Sequence, residues 1–348
     1  MSNQMKFIKN KDIGYDKSYV FSVPLTGEVT SHIEAVKTEL KKVPGILNAS
    51  VIDAYNFSSV GGETGDIDWP GKPANQSATI TQISSDKDFI PTMKIKFIEG
   101  GNFSGTPADS SNYILNETAV KMMGLQKPYA GQQISLHDKK GTIIGVVKDF
   151  NFKSLKEKIT PLIFFTFWNN RNILYVRTTA ANAQQAIAAV GNQYKKYAGN
   201  SPFSYNFLDK SFDAQYKTDA RAGILFNVFA GIAIFISCLG LFGLATYTAQ
   251  VKIKEIGIRK VLGASISGIV KLISKDFLKL IVIAIIIAVP VSWWAMNKWL
   301  NGFAYHVNIS GWIFAIAATI SLLIALLTIS FQAVKAALAN PVESLRSE

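Results

Sequence analysis

The sequence predicts two domains of different class. Residues 1–221 read as an α+β domain, a split βαβ lobe with a second lobe inserted, and residues 222–348 as an α-helical membrane domain of three transmembrane helices. Three observations carry this. Of the 36 Lys and Arg only 10 come after Arg221, and of the 24 Asp and Glu only 4 do, so charge changes abruptly there. Three long apolar runs without Asp, Glu, Lys, Arg or His fill much of the remaining chain. A strand–helix–strand pattern occurs twice in the first part, far apart in sequence.

The first lobe is predicted over 15–74 and 162–215. "SYVFSVPL" alternates as a strand does, and "GEVTSHIEAVKTELKKV" places Ile33, Val36 and Leu40 at helical spacing. "PGILNASVIDAYN" opens on a turn and continues as a strand. The same order recurs as "RNILYVRTT", "NAQQAIAAVGNQYKKYAG" and "SPFSYNFLDKSF", read as strand, helix and strand. The inserted lobe is predicted over 75–161. In it, "SATITQIS" reads as a strand, "DKDFIPTMKIKF" as partly helical, and "YILNETAVKMMGL" as strand then helix. "QQISLHDKKGTIIGVVKDF" reads as a hairpin turning at or near Lys140–Gly141. "DKSFDAQYKTDARAG" is expected to continue helically into the first apolar run.

Residues 1–221 show no catalytic signature. "GGETG" at Gly61–Gly65 lacks the Gly-Lys-Ser/Thr of a phosphate loop and reads as a mobile loop, with Asp66 and Asp68 as solvated carboxylates. Neither Gly-x-Ser-x-Gly nor His-Glu-x-x-His occurs. Cys238 is the single cysteine, so no intrachain disulfide or cysteine metal site can form. His32, His137 and His306 are scattered and read as ordinary histidines. No basic patch interleaved with aromatics points to nucleic acid. No bound cofactor, no metal and no enzymatic activity are expected of this chain.

The membrane domain is predicted as spans at 223–249, 277–297 and 311–332, with a cytoplasmic segment at 250–276, an outer loop at 298–310 and a tail at 333–348. Pro290 lies in the second span, where a membrane helix tolerates it. Trp293, Trp294, Trp299, Tyr305 and Trp312 sit near the expected interfaces. The first linker carries Lys252, Lys254, Arg259, Lys260, Lys271, Lys275 and Lys279, whereas the second carries only Lys298. The positive-inside rule therefore puts the basic segment and the C-terminus in the cytoplasm and residues 1–221 outside. "SNQMKFIKNKDIGYDK" is polar and is no signal peptide, so a preceding span in a longer protein is expected.

"KIKEIGIRKVLGAS", residues 252–265, supports two readings. One is a basic amphipathic helix lying on anionic lipid. The other is a handle for a cytoplasmic partner, with Glu255, Arg259 and Lys260 pairing with its charges and Ile258, Val261, Leu262, Ile266 and Ile269 filling its groove. Gly257 and Gly263 would allow close approach or a break.

Five stretches together resemble one family. "EIGIRKVLGAS" comes after the first span and "ANPVESLR" after the last. "GVVKDFNFKSLKEKITPLIF" lies in the outer domain, with "FIEGGNFS" and "ILNETAVKMMGL" beside it. The chain resembles FtsX-like, MacB-type permeases of ABC transporters, in particular the tandem permeases of Bacteroidota. The resemblance implies a four-span unit here lacking its first helix, and an extracytoplasmic MacB-like periplasmic core with a porter-like lobe. It implies a bacterial inner membrane location and a separate cytoplasmic ABC-type ATPase that binds ATP and Mg. A second permease half, as homodimer or pseudo-dimer, is implied, as is a periplasmic adaptor or cargo. Coupling to the ATPase is expected through Lys254, Glu255, Ile256, Gly257, Ile258, Arg259, Lys260, Val261, Leu262, Gly263 and Ala264. The implied function is export or efflux of an amphipathic, peptide-like or lipid-linked cargo. The alternatives are transmembrane signalling without transport, and a membrane-anchored sensor or scaffold.

Overall fold

The computed structural model describes residues 2–26, 28–53, 62–167, 172–198 and 201–338. It separates into two compact units, Met5–Lys217 and a second made of Thr218 onward with the first few residues.

The first unit is mixed α/β. After α1 (Ser2–Asn10) the chain forms β1 (Val20–Pro24), α2 (Glu28–Ser31), α3 (Ile33–Leu40) and β2 (Ile46–Ile52). It continues with β3 (Glu63–Thr64), β4 (Ile67–Asp68), β5 (Ile80–Ser84), α4 (Phe89–Met93) and β6 (Phe97–Gly100). Then come β7 (Asn112–Asn116), α5 (Glu117–Met122), β8 (Gln133–Leu136), β9 (Lys139–Val147) and β10 (Leu162–Phe165). The last elements are β11 (Ile173–Thr178), α6 (Ala183–Tyr197), β12 (Asn206–Phe207) and α7 (Leu208–Gln215). One sheet has the order β12-β1-β11-β2, wholly antiparallel, which is the arrangement of a split βαβ unit. The second has the order β3-β5-β10-β7-β9-β8-β4, with β6 on β9.

Several elements depart from the sequence reading. β3 and β4, placed by sequence before the inserted lobe, and β10, placed after it, all lie in the second sheet. The "GGETG" stretch is therefore sheet at Glu63–Thr64 rather than a loop, while Gly61 lies outside the described residues. The hairpin turns at His137–Asp138, two residues with φ of 51° and 58°, as a two-residue turn matching the strand twist requires. "SPFSYNFLDKSF" is strand only at β12. Leu208 and Phe212, four apart, turn the rest into α7, which buries both. α7 stops at Tyr216, so the helix into the first apolar run starts afresh at Lys217.

Strand alternation builds three apolar layers. Phe21, Val23, Leu174 and Val176 pack with Val36, Leu40 and Val190 under α3 and α6. Val20, Tyr175, Phe164 and Ile114 point the other way, into a core shared by the two sheets. Ile163, Phe165, Tyr113 and Leu115 face Trp69 and Val120 beyond it. Burial on both faces explains why β10 is apolar throughout and why β7 and β11 each carry an unbroken apolar run.

The stretches that suggested a family hold this unit together. The Asn116 carboxamide oxygen accepts from the Ala119 and Leu162 amides at 2.9 Å each, capping α5 and tying it to β10. Glu117 accepts from the Asp149 amide at 2.9 Å, and Asp149 accepts from the Thr118 amide and hydroxyl at 2.9 and 2.7 Å. Glu99 accepts from the Tyr129 and Ala130 amides. Gly100, at φ +70°, passes so close to the Ile144 carbonyl that a Cβ would lie 2.1 Å from it.

Buried Arg177 donates to the Thr92 and Ser18 carbonyls and to the carbonyl and carboxylate of Asp16, and Lys94 reaches Asp16 at 2.8 Å. Burial raises the Asp16 carboxyl, but Lys94, the Ser18 amide and Arg177 outweigh it and hold it at about 2. A carboxyl depressed on folding adds stability above its unfolded value, lost as pH falls through the folded one. Asp16→Asn is therefore expected to cost about 1–2 kcal/mol above roughly pH 4, after allowance for solvent screening, and the deficit is expected to vanish as pH falls to about 2, read by urea titration at stepped pH.

The second unit is helical. α8 (Lys217–Val251), α9 (Ile253–Val261), α10 (Ile266–Leu300) and α11 (Gly311–Leu338) come in that order. Lys217–Val251 and Gly311–Gln332 are long and apolar enough to cross a membrane. Ile224, Phe229, Phe235, Leu239 and Tyr247 on α8, and Trp312, Ile316, Leu323, Leu327 and Phe331 on α11, are each more than half exposed. Water does not sustain such a surface. Residues 266–276, assigned by sequence to the linker, are the first turns of α10, which runs unbroken past Pro290. At its far end the buried Gln4 amide donates to the Tyr305 carbonyl at 2.8 Å and accepts from the Val307 amide at 2.9 Å, clamping the loop before α11.

Candidate coupling site

The basic segment forms α9 and the turn after it. α9 is joined to α8 across a single residue, Lys252, whose amide still donates to the Thr248 carbonyl at 3.0 Å. Its end is built from two signals. Gly263 takes φ +87°, and the Ala264 amide donates back to the Arg259 carbonyl at 2.9 Å, a left-handed helix stop that glycine alone adopts without strain. Ser265 then caps α10, its hydroxyl accepting from the Gly268 amide at 3.2 Å. "LGAS" is therefore a stop and a start, and it fixes α9 as a short separate rod.

One face of α9 is anchored. Ile256 is buried with Ala245 of α8, Ile269 and Phe277 of α10, and Ile329 of α11, so all three long helices meet at it. Gly257 is buried beside it. Lys252 lies 3.7 Å from Asp276 of α10.

The opposite face is open. Lys254, Glu255, Ile258, Arg259 and Leu262 are exposed, the last four falling at helical spacing on one stripe. Ile258 is 53% and Leu262 80% exposed. Gly263 and Ala264 are exposed in the turn. Arg259 and Glu255 pair with each other at 2.7 Å. An exposed pair of this kind is worth a few tenths of a kcal/mol and exchanges readily for another partner.

The predicted site therefore divides. Ile256 and Gly257 hold the segment from within, and Ile269, named by sequence as a groove filler, is core and cannot reach a partner. The side chains of Lys260, Val261 and Ile266 lie outside the described residues, as does "ANPVESLR" but for its place after α11. Sequence reasoning missed the clamp of Gln4, which only the fold of the loop before α11 reveals. His137 and Asp66, set aside by sequence, meet at 3.1 Å, and His137 also meets Gln82 at 2.7 Å. Among the described residues no group of three or more His, Cys, Asp or Glu could hold a metal ion.

Residues 227–341 match the FtsX-like permease C-terminal family. Two of the solved structures that the chain resembles cover more than half of it. One is the periplasmic region of MacB from Actinobacillus actinomycetemcomitans, at 14% identity and a TM-score of 0.41, covering 59% of this chain and 96% of that one. The other is the extracellular domain of the noncanonic ABC-type transporter YknZ from Gram-positive bacteria, at 12% identity and a TM-score of 0.37, covering 53% of this chain and 98% of that one. No curated protein matches the sequence.

Proposed function

We propose, from the FtsX-like permease match over residues 227–341, that this chain is the permease subunit of an ABC transporter, working without catalysis of its own. The observation that carries the reading is the open stripe of Glu255, Ile258, Arg259 and Leu262 on a rod anchored through Ile256 to three apolar helices. A force applied to that stripe is passed to α8, α10 and α11 together, because a packed core transmits strain rather than absorbing it. α8 then carries it about 52 Å along its 35 residues.

In this reading a cytoplasmic ATP-binding cassette subunit holds ATP and Mg and grips α9, and a second permease half completes the unit. α10 supplies the second span, between those of α8 and α11; α9 and the end of α11 face the cytoplasm, and residues 5–217 lie outside the inner membrane. Movement exports an amphipathic, peptide-like or lipid-linked cargo.

Labelling tests the arrangement. In a Cys238→Ser background, Ala108→Cys is expected to react with an impermeant maleimide from outside intact cells, and Ala264→Cys only after lysis. Both positions are exposed. The reverse pattern overturns the topology. A chain with the expected pattern that neither retains an ATP-binding cassette protein nor changes its hydrolysis rate is not a permease subunit.

A further inference from the structure

We propose that the groove between α10 and α11 is a binding site for an anionic phospholipid of the cytoplasmic leaflet, an inference that rests on the membrane reading of the proposed function. The groove has a volume of about 1090 Å³, at the upper end of what ligand sites span. It is lined mainly by aliphatic side chains, Ile283 and Leu326 among them, and by three lysines, Lys271, Lys275 and Lys279. The lysines recur every four residues on one face of α10, spanning about 12 Å along the helix. Ser274, 4% exposed, lines the same groove with a hydroxyl that has no hydrogen-bond partner. A buried hydroxyl left unpaired costs free energy that a ligand oxygen would recover.

Charge selects the occupant. A partner helix would fit the aliphatic wall but would leave three ammonium groups and the Ser274 hydroxyl unanswered. A zwitterionic lipid brings a phosphate, but its own quaternary ammonium offsets the charge that three lysines call for. A phosphate diester of net negative charge answers both, with its acyl chains along Ile283 and Leu326 and its headgroup among the lysines, whose long stems reach back toward the interface. The positive-inside orientation puts this end of α10 in the leaflet where the basic residues gather.

Brominated lipids test the site. Ile283→Trp places a reporter in the groove, in phosphatidylcholine vesicles doped with brominated phosphatidylglycerol or brominated phosphatidylcholine. The added fluorescence is expected to be quenched at about tenfold lower content of the brominated phosphatidylglycerol, and Lys271→Gln/Lys275→Gln/Lys279→Gln is expected to abolish that preference. Equal quenching by both lipids, or a preference the lysine variant keeps, overturns the site. Protection from both lipids overturns it too, in favour of a protein occupant. The native Trp293, Trp294, Trp299 and Trp312 serve as the insertion control in every variant. If both lipids quench them, the membrane reading stands whatever the groove shows. If neither does, that reading fails and takes the site with it.

Discussion

Lys37→Ala is expected to destabilise residues 5–217 by about 3–5 kcal/mol, the usual cost of breaking a buried ion pair from one side. Lys37 lies on α3 with its side chain 5% exposed, and its ammonium meets Asp86 at 2.5 Å and Asp88 at 2.7 Å. Those carboxylates come just after β5, so the pair joins the helix layer of one sheet to the other sheet. Asp86 also accepts from the Val51 amide at 3.0 Å, which binds β2 into the same knot. Burial pulls the Lys37 ammonium down, but Asp86 and then Asp88 outweigh it and keep the group charged. Without Lys37, two carboxylates share a dry site, and the exposed Lys41 lies 3.5 Å from Asp88. Burial already holds the Asp86 carboxyl above its unfolded value although Lys37 pulls it down, and losing Lys37 would raise it further. A group raised in this way favours folding at low pH and loses that contribution as pH rises. The deficit of Lys37→Ala should therefore shrink toward pH 4. Hydrogen exchange on peptides 28–52 and 80–93 is expected to quicken by about 10²–10³-fold at pH 7, and Lys37→Met with Asp86→Asn to recover at least half of that on a logarithmic scale. A quickening under about tenfold would mean that the pair is no knot.

Much of this architecture is legible in local pattern. The apolar periods of "SYVFSVPL", "NILYVRTT" and "AQQAIAAVGNQYKKY" mark β1, β11 and α6 because packing and propensity agree there. Where two signals compete, the sequence misleads. The glycine after Lys140 draws the hairpin turn toward itself, yet His137 and Asp138 accept positive φ, and the pairing of Leu136 with Lys139 puts the turn there. Strand β10 comes after a long irregular stretch, and only its pairing with β5 and β7 assigns it to the second sheet. Lys37 carries no local signal of its role, since its partners lie 49 and 51 positions away. The candidate site shows the same division. The stop at Gly263 and the start at Ser265 are set by residue type, and Ile258 with Leu262 by spacing. That Ile256 and Ile269 face inward depends on where three helices meet, which no single helical period records.

Ile258→Asp with Leu262→Asp is expected to weaken retention of the ATP-binding cassette partner by about 10²–10³-fold while leaving the chain inserted. Two exposed aliphatic side chains four residues apart, flanked by Glu255 and Arg259, form the small apolar centre and charged rim from which most interface energy comes. Each contributes about 2 kcal/mol if it sits in a dry pocket of the partner. In the free chain they face solvent or headgroups, so charge at these positions costs the fold little. Ile256→Asp is the opposite case. Its carboxylate would be forced among Ala245, Phe277 and Ile329, a burial costing several kcal/mol, and the labelling pattern of Ala264→Cys should change with it. The two variants separate touching a partner from holding the rod. If Ile258→Asp/Leu262→Asp binds and stimulates the ATPase as the parent does, the stripe is not the grip. If the same variant loses only its adhesion to phosphatidylglycerol vesicles, the stripe lies on lipid and α9 is a membrane-surface helix instead. A partner that engages α9 must therefore lose both binding and stimulated hydrolysis when the stripe is charged, and must keep both when the groove lysines of α10 are neutralised, because those lie on a different helix and line a separate cleft.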